Sequence, residues 1–321
     1  MKILVADNLN KQAIEILAKE KDFEVDQKIG LTEDELVKIV QNYDAMLVRS
    51  GVKVTKKIID SAVNMRIIGR AGVGVDNIDV IAAKAKGIAV MNTPFGNVNS
   101  AAEHTIGMIL ALSRHIHHGH HSLFHKKEWE RKKFTGVELK GKVLGVIGFG
   151  NVGRIVAKIA HKGFEMNVIG YDPFVDAESM KKLGVKKVEL EELIKASDFI
   201  TLHTVLIPAT RNMLDKPQFE MMKPGVRIIN VGRGGLINEK SLLDALNAGK
   251  VAGAAIDVWE NEPPFESPLL KSPDILATPH LGASTKEAQE NVSIDIAHQL
   301  IDALKKGVLM HVVNGISELK Q

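Results

Sequence analysis

Three residues late in the chain carry the groups needed to move a proton and to grip an anion. Arg233 lies among glycines in VRIINVGRGG, Glu262 precedes two prolines in DVWENEPP, and His280 follows Pro279 in ATPHLGAS. A guanidinium presents a planar fork that holds a carboxylate at two points and polarises a neighbouring carbonyl. An imidazole exchanges a proton with a hydroxyl near neutral pH, and a carboxylate partner raises its pKa and orients the ring. Singly, each residue reads as well as a structural one: an Arg in a surface turn, a Glu beside Pro, a satisfied His. Their occurrence together, behind a nucleotide-type glycine loop, makes them a candidate catalytic set.

That loop lies in GKVLGVIGFGNVGRIVAKIA, where Gly148-x-Gly150-x-x-Gly153 follows an apolar strand and opens an amphipathic helix. Gly148 permits the tight turn, Gly150 leaves room for a pyrophosphate, and Gly153 lets helix and strand pack closely. The helix N-terminus offers N–H groups and a positive dipole to phosphates. The next strand, NVIGYD, ends in Asp172, nineteen positions after Gly153. A carboxylate there hydrogen-bonds ribose hydroxyls and repels the extra phosphate of NADP, so the expected cofactor is NAD. A second glycine cluster, Gly69 to Asn77, lacks this spacing; it reads equally as a turn or as an anion cradle.

Six of the twelve histidines fall between His115 and His125. On one continuous helix His117, His121 and His125 would share a face. A metal site needs a fuller donor set and a supporting shell. No Asp, Glu or Cys is interleaved, and Gly119 interrupts the run. A polar helix face is expected here, and no metal.

These residues need elements to hold them. Short Val- and Ile-rich runs alternate with amphipathic stretches, as in α/β folds built on parallel sheets. About four strands precede Asn92 and about six follow Lys142. The expected fold is two Rossmann-like domains with parallel sheets, the N-terminal one discontinuous. Residues 1–97 form its first part, 98–285 a nucleotide-binding domain with a helical dimerisation arm, and 286–321 a returning helix and strand. Ser100 with Glu103, and Ser284 with Glu287, read as capping boxes of the two helices that flank the second domain. Gly307 reads as the stop of the later one.

With 321 residues, 45% of them hydrophobic, and a net charge of +3, the chain has the composition of an ordinary globular protein. The mild charge argues against nucleic acid and membrane partners. The absence of cysteine excludes disulfides and thiolate chemistry. MKILVADNLN reads as a first buried strand and not a signal peptide, so a cytoplasmic protein is expected.

GFGNVG, VGRGG, DVWENEP and PHLGAS, in this order, resemble the D-isomer-specific 2-hydroxyacid dehydrogenase family. GRAGVGVDNID, VMNTPFGN, SAAEHT, WERKKFTGVEL and LGASTKEAQ narrow the resemblance to its members that act on phosphoglycerate. It implies NAD-dependent oxidation of 3-phospho-D-glycerate (3-phosphoglycerate) to 3-phosphohydroxypyruvate, the first step of L-serine biosynthesis. His280 would be the acid/base, Glu262 its pKa-tuning partner and Arg233 the substrate clamp. Besides Gly148, Gly150, Gly153, Arg233 and His280, the implied NAD contacts are Val73, Asn151, Val152, Asp172, Thr204, Val231, Gly232, Asp257, Gly282 and Ala283. Gly72 and Val73 would receive the substrate carboxylate. Arg49, Arg70 and Arg131 would hold the phosphate, Arg131 being donated by the partner subunit of a homodimer or homotetramer. Val205 departs from the family's proline at that position, and the histidine cluster lies outside the family pattern. The chain stops shortly after VVNGI, where longer members continue, so no C-terminal regulatory module is expected. Competing readings are a glyoxylate, hydroxypyruvate or other 2-oxo acid reductase, and an NAD-sensing protein-binding module.

Overall fold

The computed structural model describes residues 1–320, which fall into two compact units. One comprises residues 1–98 and the returning segment from Ala283; the other spans Asn99–Gly282.

The first unit is built on β1 (Lys2–Val5), β2 (Glu24–Gln27), β3 (Ala45–Val48), β4 (Ile67–Arg70) and β5 (Ala89–Met91). All neighbours are parallel, in the order β2-β1-β3-β4-β5. β3 is buried at every position, as expected of a strand covered on both faces. β2, with the sequence EVDQ, is a fifth strand beyond the four expected; it is a half-exposed edge with no apolar run to announce it. The helix Lys286–Lys306 returns to this sheet, burying Val292, Ile296, Ala297 and Leu300 against Ile3, Val5, Leu47 and Ile67. Each such apolar side chain contributes roughly 1.5–3 kcal/mol by leaving water. Gly69 on β4 allows the approach: a Cβ there would meet Leu47 at 2.6 Å and Ile296 at 2.9 Å.

Two details of that returning segment correct the sequence expectation. The helix is capped by Thr285, which accepts from the Ala288 N–H, so the Ser284–Glu287 pairing is displaced by one residue. Beyond its left-handed stop at Gly307 no strand forms among the described residues; Val312 makes a single antiparallel bridge to Met91.

The second unit carries β6 (Val143–Ile147), β7 (Asn167–Tyr171), β8 (Lys186–Lys187), β9 (Phe199–Leu202), β10 (Val226–Asn230), β11 (Val251–Ile256) and β12 (Ile275–Ala277). They are all parallel, in the order β12-β11-β10-β9-β6-β7-β8. β8 is the strand not foreseen, only two residues long at the edge. The order reverses between β6 and β9, so loops leaving their C-terminal ends diverge and open a crevice.

The helix Val98–Ser113 places Ala102, Ile106, Ile109 and Leu112 at helical spacing against Leu144 and Val146 of β6. Because it begins at Val98, Ser100 lies inside its first turn and is not its cap. His115 then adopts a left-handed conformation (φ 52°), followed by a short helix Ile116–His121 and a π-helical turn Ser122–Lys126. The π-helical turn interrupts the regular spacing between His121 and His125, yet their rings lie 5.1 Å apart, while His117 packs on His118 with ring centroids 3.9 Å apart. Among the described residues no three side chains are grouped to hold a metal ion.

Candidate active site

The crevice of the second unit is floored by the glycine loop. Gly148 takes φ +90°, and a Cβ there would lie 2.6 Å from the backbone of His203, at the end of β9. Gly153 needs its bare backbone for a different reason, since a Cβ would sit 2.1 Å from the Gly148 carbonyl oxygen. Gly150 faces open space. It is the N-cap of the helix Asn151–Phe164, and with no side chain it leaves the first-turn N–H groups of Asn151 and Val152 uncapped. Uncapped N–H groups beside open space suit a pyrophosphate, so the loop fits a dinucleotide. Asp172 borders it: one carboxylate oxygen accepts from the Phe149 N–H at 2.8 Å and the other from the Phe174 N–H at 2.8 Å. The acid therefore braces the loop while retaining lone pairs for a ribose. Thr204 and the exposed Val205 follow β9 on the neighbouring side.

The loops after β10, β11 and β12 bring Arg233, Glu262 and His280 to the same end of the sheet. His280 Nδ1 lies 2.8 Å from Glu262 Oε2 and 3.0 Å from Oε1. Glu262 Oε1 also accepts from the Trp259 N–H at 3.2 Å, which fixes the carboxylate from behind. The Glu262 hydrogen bond raises the His280 pKa above its ordinary value, against the opposing effects of burial and of the nearby Arg233 charge. Burial pushes Glu262 up, but the hydrogen bond and charge of His280 outweigh it and hold the carboxyl low. With Nδ1 engaged, Nε2 is the nitrogen left for a substrate hydroxyl or carbonyl.

His280 itself has φ +56°, a left-handed conformation that a non-glycine residue holds only when its surroundings enforce it. Asp257 enforces it. Its backbone carbonyl accepts from the His280 N–H at 2.9 Å. Its fully buried carboxylate takes the Leu281 N–H at 2.7 Å, the Gly282 N–H at 2.8 Å and the Thr278 hydroxyl at 2.6 Å. Burial would raise the Asp257 pKa, yet the hydrogen bonds from His104, Thr278, Leu281 and Gly282 hold it below the usual range. Ala283 follows directly, as the first residue of the returning segment.

In the first unit, Arg49 follows β3 and Arg70 ends β4. Asp7, just beyond β1, accepts from the N–H groups of Asn8, Arg49 and Gly51, and Arg49 Nη1 donates to the Asn8 carbonyl at 3.0 Å. The Arg70 guanidinium lies over Gly72, where a Cβ would meet its Nη1 at 1.6 Å. Gly72 (φ +140°) and Val73 are tied to the residues after β5. The Gly72 N–H donates to Thr93 Oγ1 at 2.7 Å, and Asn92 Nδ2 donates to the Val73 carbonyl at 2.6 Å. Arg131 is exposed in a short 3-10 turn Arg131–Phe134 of the arm.

Residues 106–282 match the model of the D-isomer specific 2-hydroxyacid dehydrogenase NAD binding domain. The chain belongs to this dehydrogenase family. It is similar to the D-3-phosphoglycerate dehydrogenase of Archaeoglobus fulgidus, 47% identical over 98% of this chain and 59% of the relative. The human D-3-phosphoglycerate dehydrogenase is 45% identical over 98% of this chain and 58% of its own. The chain thus spans somewhat over half the length of the curated relatives it matches. Among solved structures, a glyoxylate reductase from Paecilomyes thermophila is 30% identical with a TM-score of 0.88, covering 98% of both chains. The NAD+-bound 3-phosphoglycerate dehydrogenase of Entamoeba histolytica is 28% identical with a TM-score of 0.81, covering 98% of both chains. NAD is the cofactor of this dehydrogenase chain, and the loop at Gly148–Gly153 has the shape to receive it.

Several residues that shape the site carried no motif signal. Asn230 ends β10 and bonds the nearby Gly232 and Arg233 backbone, whereas Thr278 follows β12 and reaches Asp257, twenty-one residues away. Trp259 stabilises the same region by donating its indole N–H to the Thr278 carbonyl at 3.1 Å. His104 was visible in SAAEHT, but only the fold shows its ring 3.4 Å from both Asp257 and Thr278.

Proposed function

We propose that the protein is an NAD-dependent D-2-hydroxyacid dehydrogenase that oxidises 3-phosphoglycerate to 3-phosphohydroxypyruvate, as the entry step to L-serine. The His280–Glu262 pair at 2.8 Å is the observation that carries the chemistry. NAD, when bound, accepts the hydride that leaves C2 of the substrate. His280 Nε2 removes the hydroxyl proton as the C2–O bond becomes a carbonyl, and Glu262 stabilises the resulting imidazolium. Arg233 grips the substrate carboxylate and polarises the oxygen at C2. Gly72 N–H already serves Thr93, so Val73 and its neighbours offer the remaining N–H groups to that carboxylate.

Asn151, Val152, Asp172, Thr204, Val231, Gly232, Asp257, Gly282 and Ala283 serve the cofactor, with Asp257 also fastening the His280 loop. Arg49, Arg70 and a partner's copy of Arg131 neutralise the phosphate, a dianion that needs such donors. Similarity to two D-3-phosphoglycerate dehydrogenases over nearly the whole chain supports this substrate. The arm exposes Ile116, Leu123, Phe124 and Trp129, an apolar set suited to burial against a second copy in a homodimer or homotetramer. The reading places this activity in the cytoplasm; no helix among the described residues is long and apolar enough to cross a membrane.

The test is NADH oxidation with 3-phosphohydroxypyruvate beside hydroxypyruvate and glyoxylate, on wild type, His280→Ala and an Arg49→Ala/Arg70→Ala double variant. Preference for the phosphorylated substrate, abolished by His280→Ala and selectively weakened by the arginine changes, is the expected result. Equal or reversed preference moves the protein to the general 2-oxo acid reductase reading, which its similarity to a glyoxylate reductase favours.

A further inference from the structure

Asn230, at the C-terminal end of β10, is 2% exposed, and its side chain touches the backbone of the Arg233 loop at two points. Its Oδ1 accepts from the Gly232 N–H at 3.1 Å, and its Nδ2 donates to the Arg233 carbonyl at 2.8 Å. The amide's orientation is dictated by these partners, since one offers only a proton and the other only lone pairs. The Gly232 carbonyl meanwhile accepts from Arg233 Nη1 at 2.8 Å. The backbone that carries the clamp is therefore held at three successive peptides, through the Gly232 N–H, the Gly232 carbonyl and the Arg233 carbonyl.

The rest of the loop lies against backbone. A Cβ on Gly232 would meet the Leu202 carbonyl at 2.8 Å, and one on Gly234 would meet the Trp259 carbonyl at 1.8 Å. Those contacts limit how close the loop sits, but neither sets the rotation of the two peptides that flank the Gly232–Arg233 bond, Val231–Gly232 and Arg233–Gly234. A buried side-chain amide with matched donor and acceptor does set it, because turning the Val231–Gly232 peptide would strand its Oδ1 acceptor and turning the Arg233–Gly234 peptide would strand its Nδ2 donor.

We infer that Asn230 is a positioning residue that fixes the aim of the Arg233 guanidinium at the substrate carboxylate. This rests on the role of Arg233 proposed above. Asn230→Asp is the sharpest test, because it preserves shape and the acceptor for Gly232. The ionised carboxyl opposes the Arg233 carbonyl and offers the guanidinium a competing anion. When protonated, it can again donate to that carbonyl.

Steady-state kinetics with NADH and the preferred 2-oxo acid should show KM for the 2-oxo acid raised at least tenfold in Asn230→Asp. The NADH Kd should stay within twofold of wild type, and the KM defect should shrink as pH falls. Asn230→Ala should raise the same KM without this pH-dependent recovery. In an Arg233→Ala background, Asn230→Asp should add less than twofold, since both changes act through one group. An unchanged KM in Asn230→Asp, parallel losses of NADH binding and KM, or full additivity with Arg233→Ala would each overturn the inference. If Arg233→Ala alone leaves the 2-oxo acid KM unchanged, it is the proposed role of Arg233 that fails.

Discussion

Glu262 holds both carboxylate oxygens within 3.0 Å of His280 Nδ1, so the imidazole is anchored on one nitrogen and presents the other. The pair sits on loops after different strands, eighteen residues apart in sequence. Its geometry makes the pKa of His280 a property of Glu262 as much as of the ring.

Glu262→Gln removes the charge and leaves the imidazole pKa lower. Oxidation needs His280 neutral, so the wild-type rate is lost as pH falls through the raised pKa. The variant's acidic limb should therefore move to lower pH, because the carboxylate that raised the His280 pKa is gone. Reduction needs His280 protonated, and its alkaline limb should move down in parallel. The pH profiles of kcat/KM in both directions check this; unmoved profiles would remove Glu262 from the role.

The glycine loop separates a folding requirement from a binding one. Gly153→Ala places a methyl 2.1 Å from the Gly148 carbonyl and should cost about 1–3 kcal/mol of stability. Gly150→Ala meets nothing within 4 Å, so the melting temperature should hardly change, whereas NADH affinity should fall at least tenfold. Calorimetry beside NADH fluorescence titration distinguishes the two. Equal effects on both readouts would refute the assignment.

Coenzyme choice should rest on the charge at Asp172. Asp172→Asn keeps an amide oxygen for one of the two backbone donors, Phe149 and Phe174, but no longer repels a ribose phosphate. The ratio of kcat/KM for NADPH to that for NADH should rise at least tenfold. A ratio unchanged from wild type would mean that Asp172 serves only to brace the loop.

The histidine-rich arm should loosen in acid. Burial pushes His117 down to about 4 from an ordinary value of 6.5, and His115 and His118 are lowered for the same reason. A folded-state pKa below the unfolded one means that stability is intact above about pH 6.5 and declines as pH falls toward 4. Hydrogen exchange over residues 114–134 should show lower protection at about pH 5 than at about pH 7.5, and His117→Leu should shrink the difference. Equal protection at the two pH values would contradict this.

Features set by neighbours in the chain were legible in the sequence. The turn at Gly148, the helix at Asn151, the stop at Gly307 and the strand ends that carry Arg233 and His280 follow from local sterics and apolar runs. Helix caps were less legible, because candidate hydroxyls at Ser284 and Thr285 are adjacent and packing chose between them. The edge strands β2 and β8 escaped notice because an exposed edge needs no apolar pattern.

What the sequence alone determined is which groups stand at the strand ends: a glycine loop with dinucleotide spacing, a guanidinium among glycines and an imidazole after a proline, each recognisable from a few contiguous residues. What only the tertiary structure decided is how these groups are aimed. Asp257 reaches Leu281 and Gly282 across more than twenty residues, and His104 reaches Thr278 across 174. Asn230 lies only three residues from Arg233, yet its orientation depends on β10 being buried between β9 and β11. A side chain's type is written at its own position. Its direction is set by hydrogen bonds and packing that exist only once distant segments have closed around it.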